Sequence, residues 1–187
     1  MKKIILLIAV GFSIIACHKD TDHDSDNNVL IKGKIEPGKK DYSSYIGESS
    51  LADASKVVVF TGERYTVVEI VNNSFSLEAP VGSATALIFV DAANQYIGNL
   101  SVSGLNILPL INLSDGDNTV IDLSTLTLYE TSVVPANNPI GKEIMISAED
   151  IELLKEISSL YEAIAKNLDA DNDGVLDNFT GKQLVIN

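Results

Sequence analysis

Between residues 29 and 130 the chain is a series of short runs rich in Val, Ile, Thr and Phe, each cut off by Gly, Asn, Asp or Pro. β-Branched and aromatic side chains fit a pleated surface, and runs this short favour strands over helices. The runs fall at 29–35, 56–60, 65–70, 74–78, 85–90 and 96–102, with a last one starting at 119 and reaching about 128. The segment 105–113 is apolar but interrupted by Pro109, which points to an edge or an irregular stretch. Ser74-Phe75-Ser76-Leu77-Glu78 alternates, so one face is buried and the other wet. Lys56-Val57-Val58-Val59-Phe60 is continuous, as a central strand is. Asn72-Asn73 reads as a turn, because Asn tolerates positive φ. The fold class expected is mainly β, an antiparallel β-sandwich of about seven strands.

The points Ile31-Lys32-Gly33-Lys34-Ile35, then Lys56-Val57-Val58-Val59, then Ser74-Phe75-Ser76-Leu77 followed by Pro80-Val81-Gly82, together resemble the carboxypeptidase regulatory-like, or transthyretin-like, sandwich. In that family an Asp-Gly turn precedes the phenylalanine strand, whereas Asn72-Asn73 stands here. The resemblance implies a non-catalytic spacer or interaction module and supplies no functional residues. Tyr42, Tyr45 and Tyr65 are read either as part of a contact surface or as aromatic residues that simply suit strands and loops.

After Pro135 and Pro139, which read as a linker over 131–146, the period changes. Ile151, Leu154, Ile157, Tyr161, Ile164 and Leu168 recur at spacings of three and four, predicting one amphipathic helix over about 148–167. Ser147 and Asp150 form a capping box with Asp in the usual place of Glu or Gln, and Ile146 and Ile151 occupy the positions of a hydrophobic staple. The apolar face of this helix must dock on the β domain or on a partner.

The helix leads into Asp169-Ala170-Asp171-Asn172-Asp173-Gly174-Val175-Leu176-Asp177, which matches the first nine positions of an EF-hand calcium loop. Calcium takes six to eight oxygens at about 2.4 Å, and carboxylates at alternate positions converge when the chain coils around the ion. The expected ligands are Asp169, Asp171, Asp173, the backbone carbonyl of Val175, and Asp177 directly or through water; Gly174 permits the sharp turn. Thr180 stands where an EF-hand has its bidentate Glu, so the loop resembles more closely the aspartate-rich calcium loops of extracellular bacterial proteins and thrombospondin type 3 repeats. Four clustered carboxylates repel one another without a cation, which weighs against a merely solvated acidic turn. The cofactor expected is structural Ca²⁺, bound weakly, in the range of about 10⁻⁴–10⁻³ M.

The N-terminus supplies an address. Lys2 and Lys3 precede an apolar run from Ile4 to Ile15 that falls short of the roughly 20 residues a spanning helix needs but suits a signal peptide. Ile14-Ile15-Ala16-Cys17 resembles the lipobox of bacterial lipoproteins, which implies cleavage after residue 16 and a diacylglycerol on Cys17. The competing reading, an ordinary secretory signal, leaves the chain's single cysteine unexplained. Residues 18–28 contain no apolar side chain, so a disordered acidic tether is expected. Lys19 followed by acidic residues resembles the surface-export signal of Bacteroidota lipoproteins, and His18 replaces the Asp that retains many lipoproteins at the inner membrane. The localisation expected is the outer membrane, lipid-anchored and facing the cell surface. A metal site at His18 and His23 lacks anything to preorganise it.

The organisation expected is thus a signal peptide over 1–16, a tether over 17–28, a β-sandwich domain over 29–130, a linker over 131–146, and a helix with its calcium loop over 147–187. The net charge of −13 repels phosphate backbones, so no nucleic-acid partner is expected. Trp is absent and aromatic residues are only 6% of the chain, which disfavours ring-stacking sugar sites. No histidine lies outside the tether and no Gly-x-Ser-x-Gly elbow occurs, so no enzyme is expected. The leading expectation is a membrane-anchored, non-catalytic structural or interaction module. The alternative is a lipoprotein that captures glycan or peptide for an outer-membrane uptake system. Both place a protein or glycan partner at the cell surface.

Overall fold

The computed structural model describes residues 28–36, 50–61, 64–110, 113, 120–140, 144, 146–165, 168 and 176. The described residues are mainly β. Strands β1 (Asn28–Ile35), β2 (Lys56–Thr61), β3 (Arg64–Glu69), β4 (Ser74–Pro80), β5 (Ala84–Val90), β6 (Tyr96–Leu100), β7 (Leu108–Pro109), β8 (Val120–Tyr129) and β9 (Ser132–Pro135) precede helix α1 (Ala148–Ala165). A short 3₁₀ turn, Leu51–Asp53, carries its own capping box between Ser50 and Asp53 and drops Leu51 into the core.

The strands form one sheet in the order β3-β2-β5-β6-β9-β8-β1-β4, with β7 paired to the start of β5. Antiparallel pairing holds along most of it, as expected, but β1–β8 and β6–β9 run parallel. Alternation specifies which face of a strand is buried and carries no information on its direction, so these two ladders had no signature. The sheet curls until the end of β3 meets the start of β4. There Val71 and Ser74 exchange backbone hydrogen bonds of 2.9 and 3.0 Å around Asn72 and Asn73, both with positive φ. Two successive residues in the left-handed region are the mark of the type I′ turn, whose twist matches that of paired strands.

β1 and β4 alternate strictly between buried and exposed residues. Their inward side chains join those of β2, β5, β6, β8 and β9 in one core, where the rings of Phe75 and Phe89 meet edge to face at 5.8 Å. The segment around Pro109 is irregular, with only two residues in register, yet Ile107, Leu108 and Leu110 are all buried.

β9 falls within the stretch expected as linker. The turn leading into it places Glu130 at φ 57°, without the Gly or Asn that marks such a turn in a sequence. β8 also bulges: Lys32 and Lys34 of β1 face Asp122 and Thr125, so one extra residue is accommodated, and Ser124 takes φ 58°.

Gly33 is required by packing. A Cβ there would lie 2.7 Å from Cζ of Phe75, the residue opposite it on β4. The phenylalanine ring occupies the space that a side chain on β1 would take. Gly33→Ala is expected to destabilise the fold by about 1–3 kcal/mol, the usual effect of overpacking. In a Phe75→Leu background the same change should have a smaller effect, which a double-mutant cycle by urea denaturation measures.

Candidate functional site

The calcium loop expected at the end of the helix depends on how that helix is held. Its start follows the sequence closely: the backbone N–H of Asp150 donates to Oγ of Ser147 at 3.2 Å, and that of Ser147 donates to Oδ2 of Asp150 at 3.2 Å. Two otherwise orphaned N–H groups are thereby satisfied. The helix then lies on the outer face of β2 and β5. Leu154, Tyr161, Ile164, Ala165 and Leu168 pack with Val58, Phe60, Ala86, Ile88 and Val90 in a second core, separate from the interior of the sheet. This explains why β2 and β5 are apolar without alternation: each is buried on both faces.

Two positions differ from the helical stripe expected. Ile151 is exposed, so the staple position does not close over the first turn, whereas Ile146 packs against both cores. Ser158, a polar residue inside the stripe, is 6% exposed and accepts a 2.6 Å hydrogen bond from the backbone N–H of Asn106. It fastens the helix to the segment after β6. Tyr161 adds an aromatic contact with Phe60 at 5.9 Å between ring centres.

One residue just before the aspartate loop and one near its end belong to this seam. Leu168, immediately before Asp169, is buried in it. Leu176, immediately before Asp177, is half-buried against the same cluster, and its carbonyl accepts from the hydroxyl of Tyr65 at 3.4 Å. Tyr65 itself is half-buried and packs on Phe60 with ring centres 5.6 Å apart, so it links Phe60 of the sheet to Leu176. Tyr42 and Tyr45 lie outside the described residues, as do Asp169, Asp171, Asp173, Val175, Asp177 and Cys17. Among the described residues no three His, Cys, Asp or Glu side chains are grouped to hold a metal ion.

No family model, curated protein or solved structure matches this chain. The functional reading therefore stands on the residues themselves.

At the other border of the seam, the hydroxyl of Tyr96 donates to Oδ1 of Asn99 at 2.6 Å. Burial pushes the phenol up to about 12; a hydrogen bond with Thr131 opposes the rise and the carboxylate of Glu162 adds to it. An unfolded tyrosine loses its proton near pH 10, while the folded one keeps it to about 12. The folded state binds more protons across that window, so its stability falls as pH rises from about 10 to about 12. Melting temperatures followed over this range should decline less steeply for Tyr96→Phe than for the parent.

Proposed function

We propose that this chain is a lipid-anchored, non-catalytic interaction module of the bacterial outer membrane, with a structural calcium ion in the loop that follows its helix. The observation that carries the calcium part is the anchoring of Leu168 and Leu176 in the seam between helix and sheet. Leu168 directly precedes Asp169 and Leu176 stands between Val175 and Asp177, so the proposed ligands Asp169, Asp171, Asp173, the Val175 carbonyl and Asp177 lie between or next to two held positions in the sequence. A cation there offsets the repulsion among four carboxylates beside Leu176, whose carbonyl accepts from Tyr65. Cys17 carries the lipid, and the acidic tether sets the module off from the membrane.

A transthyretin-like sandwich is the finer fold reading. In its support, the sheet divides into halves, β3-β2-β5-β6 and β9-β8-β1-β4, joined through the short β6–β9 ladder, and their inner side chains share one core. A second reading, capture of a peptide or glycan, draws support from an open trough on the half that the helix leaves bare.

Two experiments test the leading reading. At 10 mM calcium the full-length protein should gain about 1.4–2.7 kcal/mol, the linkage expected of a site in the 10⁻⁴–10⁻³ M range, and Asp173→Asn should remove most of the gain. A melting temperature indifferent to calcium sinks the metal site. Separately, Cys17→Ala should move the protein from the membrane fraction to the soluble fraction; unchanged fractionation contradicts the anchor.

A further inference from the structure

The outer face of β4, β1 and β8 carries a shallow trough of about 700 Å³. Register explains its shape. Ser74 and Ser76 of β4 stand opposite Lys34 and Lys32 of β1, and Val71, two residues beyond β3, bridges to Ser74. Glu69 is two residues before Val71 and shares its face. Short hydroxyl side chains thus form a floor between taller walls, lysines on one side and Glu69 with Val71 on the other.

The charges are unevenly satisfied. Lys32 is bound to Asp122 at 3.1 Å. The backbone N–H of Ser124 above all, and then Lys32, hold that carboxyl below its usual range. Among the described residues, Lys34 and Glu69 form no ion pair. One free ammonium and one free carboxylate therefore face the trough from opposite walls, staggered by one row, which is about 7 Å along a strand. Val71, 63% exposed, adds an apolar step at the same wall. The ring of Phe75 borders the trough from within the core and is 4% exposed, so it offers no face on which a sugar could stack. β4, whose serines make the floor, ends the strand path; its backbone is paired with Val71 at Ser74, and beyond Ser74 no further strand pairs with this edge among the described residues. An edge strand presents unpaired backbone groups to an extended chain.

We infer that this trough binds an extended peptide segment, with Lys34 taking an acidic side chain, Glu69 a basic one, and the β4 edge and its serines meeting the peptide backbone. The inference rests on reading the chain as an interaction or capture module.

The test is fluorescence anisotropy on the full-length protein. The probes are labelled, terminally blocked octapeptides of Thr and Val that carry Asp and Lys two residues apart, in either order. Saturable binding with a preference for one order is expected. Lys34→Glu should weaken it by about tenfold or more, as removing and reversing one partner of a charge pair does. The double variant Lys34→Glu/Glu69→Lys should prefer the opposite order. Both positions are exposed, so unchanged melting temperatures verify that the variants fold. The inference is overturned if neither peptide binds up to millimolar concentration, or if affinity ignores both substitutions. It is equally overturned if an oligogalacturonate binds in a Lys34-dependent manner while the peptides stay silent. Calcium stabilisation and membrane release are read independently, so silent peptides remove the trough and leave the anchored module standing.

Discussion

Strands β2 and β5 are buried on both faces, and the rest of the molecule is arranged around that constraint. Inward, Val57, Val59, Leu87 and Phe89 belong to the interior of the curled sheet; outward, Val58, Phe60, Ala86, Ile88 and Val90 require a second cover. Left bare, those five side chains would form a contiguous apolar patch of the kind monomeric surfaces rarely carry. Helix α1 supplies the cover. Its attachment combines apolar burial with directional contacts: Ser158 holds the Asn106 backbone, and Tyr161 meets the ring of Phe60. A helix without its sheet would lose the burial that stabilises it, since most helical stability in proteins comes from tertiary packing of an amphipathic face.

This arrangement divides the surface into two kinds. In one half of the sheet the outward side chains of β2 and β5 are covered by the helix, and the seam so formed also receives Leu168 and Leu176. The other half, around β4, β1 and β8, keeps its outward side chains in water, and there the polar trough lies. The proposed calcium loop and the proposed peptide trough thus use different parts of one scaffold: the first adjoins the seam under the helix, the second the face that the helix leaves bare.

What could be read from the sequence was local. The alternation of β4, the Asn72-Asn73 turn and the Ser147–Asp150 capping box each depend on residues within a few positions of one another, and each is found where the pattern puts it. The helix stripe was legible through its period, apart from Ile151 and Ser158, whose environments are set by what packs opposite them. The parallel ladders, the bulge at Ser124 and strand β9 depend on pairings far apart in the chain or on turns lacking Gly and Asn, so no local signal existed. The same division holds for the two candidate sites. The aspartate spacing is a linear motif and is visible in the sequence; the trough exists only because register brings Lys34, Ser74 and Val71 side by side.

The most direct measurement of this account is native-state hydrogen exchange on the full chain. If the helix is one wall of the second core, amides near Leu154 to Tyr161 should open only with those of β2 and β5, at the same free energy and with the same dependence on denaturant. Helical amides that exchange orders of magnitude faster than the β2 and β5 amides would contradict it, because they would show the helix leaving while the sheet stays folded.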